Sequence, residues 1–240
     1  MVTIAKMPSL LGKGLYSPSE AAKLVGITSS RARRWIQGYN YRYSTTAGKK
    51  RGHSNPIIHS DVPRFRDQAA LSFLELIELL VVRVFLDRGV SMRTIRLAAK
   101  RASELLDVPH PFASQVFKTG GKRIFIDMES DHTSKKQLLE ISRMQYAFPE
   151  ILDNCLEKVE FDLGTSFANR WWPLGKDKPI VLDPDVVFGL PTIAGTRIPV
   201  TAVCDALRAG ETRKGICFWY DLSREQVKYA IEFGIKKGAA

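Results

Sequence analysis

Tyr16-Ser17-Pro18-Ser19-Glu20-Ala21-Ala22-Lys23-Leu24-Val25-Gly26-Ile27-Thr28-Ser29-Ser30-Arg31-Ala32-Arg33-Arg34-Trp35-Ile36-Gln37 decides the fold of the N-terminal third. Ser17 with Glu20 three residues later spells a capping box. Pro18 sits at the first helical position, where no amide donor is needed. Ala21, Ala22, Leu24 and Val25 give that helix one apolar face, and Gly26 ends it. Thr28 then caps a second helix, Ser29 to Gln37. Two short helices about a glycine turn predict a helix-turn-helix whose second helix enters the major groove of DNA. Thr28, Ser30, Arg31, Arg33 and Arg34 are its candidate DNA contacts, whereas Trp35 belongs in its core.

The next stretch carries the same chemistry. Tyr39, Tyr41 and Tyr43 alternate along a strand that leads to a basic tip, Lys49-Lys50-Arg51, flanked by Gly48 and Gly52. The chain returns through His53 to an apolar strand at Ile57-Ile58, which outlines a β-hairpin wing. Tyr39, Tyr41, Arg42, Tyr43, Lys49, Lys50, Arg51 and His53 are candidate contacts to phosphate or minor groove. Such contacts fix position and salt dependence more than sequence.

Charge supports this placement. The net formal charge is +11 over 240 residues. Residues 1–70 hold 12 Lys+Arg against 3 Asp+Glu, and residues 71–240 hold 24 against 22. Cations gathered in one segment offer a polyanion a seat. Leu71 to Leu86, the most apolar stretch, is broken by Glu75, Glu78 and Arg83, so it reads as a buried helix and not a membrane span. No secretion signal opens the chain, and Cys155, Cys204 and Cys217 are too scattered for a disulfide framework, so a cytoplasmic location is expected. His53, His59, His110 and His132 lack zinc-ligand spacing to any cysteine, and no metal or other cofactor is expected.

The order of helix-turn-helix, wing, Phe73-Leu74-Glu75-Leu76-Ile77 and Gly89-Val90-Ser91-Met92-Arg93-Thr94-Ile95 resembles the MerR-type winged-helix domain over roughly residues 14–106. In that pattern Ser91 caps a helix through Leu105. The family's sensors continue into a long coiled-coil helix, but here Val108-Pro109-His110-Pro111 breaks the helix, and no cysteine pair for metal sensing follows.

The middle reads as a hairpin over residues 112–129 about Gly120-Gly121, then helices near residues 136–143 and 151–159. Asn169 to Gly175 is a tryptophan-rich link. Trp171 and Trp172 are either a partner or dimer anchor, or packing between domains. Beyond the Ile180–Leu182 strand, Phe188 to Val200 alternates apolar residues around Gly195-Thr196-Arg197, as a hairpin does. Three short helices follow at residues 201–209, 212–220 and 223–234, the last capped by Ser223 with Gln226. The whole chain is expected to be an α+β, mostly helical protein. Its expected segments are a winged helix-turn-helix domain (1–107), a connecting region of hairpin and helices (108–175), and a C-terminal hairpin with three helices (176–240).

Residues 189–199, Ala209-Gly210-Glu211 and Tyr220-Asp221-Leu222-Ser223 closely resemble domain-of-unknown-function family 433. The combination with a MerR-like front half resembles a large VapB-type antitoxin. That resemblance implies a homodimer that binds its own operator in double-stranded DNA, represses its operon and inhibits a PIN-domain ribonuclease toxin. It also makes Thr196, Arg197 and Ile198 candidates for the partner or dimer interface. Arg197 reads two ways, as a contact to a carboxylate of the dimer mate or the toxin, or as an internal or dimer salt bridge that fixes its own turn. No P-loop, dinucleotide, nucleophile-elbow or zincin motif occurs, so no catalytic residue is assigned and an enzyme is not expected. The alternative function is a stand-alone MerR-like transcription regulator whose C-terminal unit serves dimerisation.

Overall fold

The computed structural model describes residues 13–46, 48–58, 60, 62, 69–119, 141, 144–146, 148–149 and 155–238. The first helix, α1 (Pro18–Val25), has the reciprocal capping box: the Ser17 hydroxyl accepts from the Glu20 amide at 3.2 Å, and the Ser17 amide donates to Glu20 Oε2 at 2.8 Å. Gly26 follows in the left-handed conformation, φ 82°, which a side chain would oppose. The recognition-type helix α2 (Ser29–Gln37) starts at Thr28, whose Oγ1 accepts from the Arg31 amide at 3.3 Å. Two antiparallel strands, β1 (Tyr39–Thr45) and β2 (Gly48–Ser54), form the wing.

Helix α3 (Phe73–Asp87) is apolar nearly all round, and ten of its fifteen residues are buried, so it serves as the central post of the molecule. Helix α4 (Met92–Leu106) starts at the expected cap, Ser91, and packs a single stripe of Thr94, Ile95, Ala98 and Ala102 inward.

The middle of the chain departs from expectation. Residues 112–117 are not a strand: Pro111–Ala113 is a 3-10 turn and residues 115–119 are helical. The reason lies in side-chain parity. A strand would send Phe112 and Phe117 to opposite faces, but both are buried, with ring centroids 4.9 Å apart, and the Ser114 hydroxyl accepts from the Phe117 amide at 3.1 Å. Residues 120–129, the rest of that expected hairpin, lie outside the described residues. Of the helix expected near 136–143, only Ile141 is described, and it is helical, as are residues 144–146. Of the helix expected near 151–159, residues 151–154 lie outside the described residues, and the rest is a 3-10 turn at Leu156–Lys158 running into a strand. Val159 finds a hydrogen-bonding partner twelve residues on, which no local pattern reveals.

That strand opens a four-stranded antiparallel sheet in sequence order: β3 (Val159–Phe161), β4 (Ala168–Trp171), β5 (Ile180–Leu182) and β6 (Pro191–Ile193). The tryptophan-rich stretch expected to be a link thus begins as a strand, and the sheet joins residues on both sides of position 175. The expected C-terminal hairpin is short. After β6 the chain turns at once, with a Thr192–Pro199 bridge and the Ile193 amide donating to the Ile198 carbonyl at 3.0 Å. Three helices follow as expected: α5 (Val200–Arg208), α6 (Arg213–Tyr220) and α7 (Arg224–Lys237). The α6–α7 turn repeats the α1–α2 pattern: a left-handed residue (Asp221), an inward apolar residue (Leu222) and a hydroxyl cap (Ser223).

Long-range hydrogen bonds tie the two ends of the chain together. The buried Tyr16 hydroxyl donates to the Gly189 carbonyl at 2.7 Å, and the Leu15 amide to the Phe188 carbonyl at 3.1 Å. Lys237 Nζ donates to the Leu24 carbonyl at 2.8 Å, so the end of α7 abuts the end of α1. Among the described residues no helix is long and apolar enough to cross a membrane.

Candidate nucleic-acid interface

Residues 28–54 contain seven Lys and Arg and no Asp or Glu. On α2 the inward stripe is Ala32, Trp35 and Ile36, and the helical period therefore turns Ser30, Arg31, Arg33 and Arg34 to solvent. Trp35 is 5% exposed and is a core residue, as expected. All of the expected contact residues on α2, with Thr28 at its cap, are exposed.

The wing is joined stiffly to this helix. Gly38 has φ 72°, and a Cβ there would meet the Ser54 carbonyl oxygen at 2.5 Å. Past the wing, the Ile57 and Ile58 amides both donate to the Trp35 carbonyl, at 2.8 and 3.2 Å. They thereby satisfy one of the carbonyls that every helix C-terminus leaves open. Ile57 and Ile58 are buried in this role and do not form the expected outgoing strand. From the other side, Arg96 of α4 clamps the end of β2, its Nη2 donating to Ser54 Oγ at 2.9 Å and to the Asn55 carbonyl at 2.7 Å. Arg96 lies about forty residues from its partners, so no local pattern in the sequence marks it.

Register sorts the wing side chains into two faces. Thr45 pairs with Gly48, so the turn precedes Gly48, and Lys49-Lys50-Arg51 lie within β2 and not at a tip. The long pairing of β1 with β2 satisfies more backbone groups than a large basic loop would. One face presents Tyr39, Tyr41 and Tyr43, with neighbouring ring centroids 6.0 and 5.9 Å apart. Arg34 lies over the Tyr39 ring at 5.0 Å, which links this face to α2. Gly52 opposes Tyr41, and a Cβ at Gly52 would meet the ring at 2.5 Å, so the missing side chain is what lets the tyrosine lie flat.

The other face presents Asn40, Arg42 and Ser44 opposite His53, Arg51 and Lys49. Asn40 Oδ1 and His53 Nδ1 are 2.7 Å apart and pin the base of the hairpin. Arg42 and Arg51 stand directly opposite one another, an arrangement that costs stability in a free hairpin and that an anion between them relieves.

The C-terminal candidates fall differently. Trp171 is 4% exposed, its β4 backbone paired with both Val159 and Leu182, so it packs inside and presents no anchor. Trp172 is half-buried, and its indole donates to Glu160 Oε1 at 2.9 Å. The neighbouring Arg170 bridges Asp183 at 2.6 Å and Glu160 at 3.7 Å, and the Asp183 contact is the first cause that raises the pKa of Arg170. Thr196 shapes its turn, donating to the Ile193 carbonyl at 2.7 Å and accepting from the Ile198 amide at 3.1 Å. Ile198 is half-buried against the core. Arg197 is exposed and makes no ion pair among the described residues, so the internal salt bridge is not formed here.

Two segments of the chain match known family models, and most of its length matches known proteins. Residues 14–99 match a family model described as "Putative DNA-binding HTH domain", and residues 180–233 match one described as "Protein of unknown function (DUF433)". The protein named "Putative antitoxin VapB45" from Mycobacterium tuberculosis is 26% identical over 225 residues, 91% of this chain and 92% of that one. "Uncharacterized protein Rv2308" from the same organism is 25% identical over 239 residues, 94% and 92% of the two chains. The crystal structure of Rv2018 from Mycobacterium tuberculosis shares the fold with a TM-score of 0.67 at 21% identity, covering 90% of this chain and 96% of that chain. The chain is thus a relative, over nine-tenths of its length, of a protein named as an antitoxin, and it joins a segment matching the DNA-binding helix-turn-helix model to one matching DUF433.

Proposed function

We propose that this protein is the DNA-binding antitoxin of a toxin–antitoxin pair, acting as a homodimer that represses its own operon and neutralises a PIN-domain ribonuclease by direct binding. The observation that carries the DNA half is the carboxylate-free stretch of α2 and the wing, seven cations over residues 28–54 on a helix and a hairpin joined by backbone hydrogen bonds. Such a surface positions a protein on the phosphate backbone, and the exposed arginines of α2 reach base edges when that helix enters the major groove.

The antitoxin half is supported by the relative named as one and by Arg197. A guanidinium held out on a turn, without an ion pair of its own among the described residues, suits a carboxylate-lined metal site such as a PIN nuclease carries. The activity proposed is binding, not catalysis.

Two measurements test it. Gel shift of the full chain on the duplex upstream of its own reading frame should exceed binding to random duplex by on the order of a thousandfold at physiological salt. Co-expression with the adjacent reading frame should yield a complex in which ribonuclease activity is suppressed. Equal affinity for both duplexes removes the repressor role, and a neighbour that neither binds nor cleaves RNA removes the antitoxin role.

A further inference from the structure

Helix α6 carries two features that suit a lone chain poorly. Its inner side rests on Ile216, which is fully buried, with Cys217 and Tyr220 half-buried beside it. Its outer side carries Phe218 and Trp219, 78% and 71% exposed, their rings edge to face with centroids 5.4 Å apart. Two large aromatic side chains in water on one short helix forgo most of their burial energy.

The charges of α6 are also reversed against its dipole. Arg213 and Lys214 occupy the first turn, where the free amides already make the helix end positive. Asp221 occupies the cap at the other end, where carbonyls make it negative. Glu211 offsets part of the first cost, its Oε1 accepting from the Thr212 amide at 3.0 Å. Arg213, Lys214 and Asp221 make no ion pair among the described residues.

We propose that α6 is the face on which two copies of this chain associate, with the two helices antiparallel across a two-fold axis beside Phe218. The proposal rests on the homodimer in the function proposed above and names its surface. An antiparallel copy answers each oddity at once. Residues 213 and 221 are about 12 Å apart along the helix, so crossing near residue 217 sets Arg213 and Lys214 of each chain beside Asp221 of the other. The two dipoles then oppose, and four aromatic rings meet at the axis. A partner of another kind fits less well: an acidic surface would satisfy Arg213 and Lys214 but repel Asp221, and a nucleic acid would do the same. Self-complementarity of this kind is what an isologous interface requires.

Sedimentation equilibrium of the full chain tests the proposal, with urea unfolding to verify that each variant is folded. Phe218→Ser/Trp219→Ala removes only exposed rings and should raise the dimer dissociation constant on the order of a hundredfold or more. Arg213→Glu/Lys214→Glu should weaken the dimer roughly tenfold by opposing Asp221 of the partner copy. That change improves the match to the helix's own dipole, so a loss of dimer there is not a loss of folding. If both variants are as dimeric as wild type, the surface is wrong while the homodimer stands. A wild type that stays monomeric at every concentration overturns both. Variants that remain dimeric yet lose the co-expressed neighbour assign α6 to that neighbour and overturn the proposal.

Discussion

Gly234 shows how little space one residue can leave. It lies in the last third of α7 against Cys204 of α5, and a Cβ there would overlap the Cys204 sulfur. Gly234→Ala therefore sets two effects against each other. Alanine gains about 1 kcal/mol of helix propensity, but overpacking a buried contact costs about 1–3 kcal/mol. Overpacking should win, because Cys204 is buried and its sulfur lies where the Cβ would go, and urea unfolding should show a net loss of up to about 2 kcal/mol. Adding Cys204→Ala removes the sulfur and should restore most of that loss, a coupling that independent sites would not show. The thiols offer a second check. Burial pushes the Cys155 thiol up to about 12 and raises that of Cys204, while Cys217 is only half-buried. At mildly alkaline pH an aromatic disulfide reagent should label Cys217 quickly and the other two only after unfolding. Rapid labelling of Cys155 in the native chain would contradict the packing described around it.

At the scale of elements, α2 and the wing should separate into reading and holding. Arg33→Ala or Arg34→Ala should weaken a specific site by about 1–3 kcal/mol where that guanidinium contacts a base, with a smaller effect on random duplex. Lys49→Ala/Lys50→Ala should weaken all duplexes alike and reduce the slope of log affinity against log salt by about 2. Gel shifts across a salt series distinguish the two behaviours. These elements were readable from the sequence because their signals are local: Ser17 with Glu20, Gly26 and Thr28 lie within a turn of the groups they satisfy. The register of the wing was less readable. The glycines that flank Lys49-Lys50-Arg51 predict a tip, but cross-strand pairing to Tyr43 and Ser44 draws Lys49 and Lys50 into β2. Arg96, which holds the wing's base, gave no local sign at all.

At the scale of the molecule, the N-terminal and C-terminal units share one hydrophobic core and are pinned by single hydrogen bonds between distant residues. Tyr16 is the most telling of these: burial, then the nearby carboxylates Asp183 and Glu20, push its phenol far above the ordinary range, so it stays a neutral donor to Gly189. Tyr16→Phe leaves that carbonyl without its donor and should cost about 1–3 kcal/mol in urea unfolding. If the two units were independent, the change would leave the unfolding of the C-terminal unit untouched. Such a joint sets the recognition surface at a fixed angle to α6, so the dimer proposed there would also set the spacing of two recognition helices.

The sequence by itself determined the helices, their caps and the basic character of residues 28–54, because capping, helical period and charge act between neighbours in the chain. Only the tertiary structure decided the fate of the tryptophans, the helical turn of 115–119, and the aromatic pair on α6. Trp171 is inside because β3 and β5 flank it, and residues 115–119 turn because Phe112 and Phe117 must reach one core. Phe218 and Trp219 are outside because Ile216 already fills the inner side of α6. Each of those outcomes depends on which distant segment comes to lie alongside, and period and propensity carry no record of that.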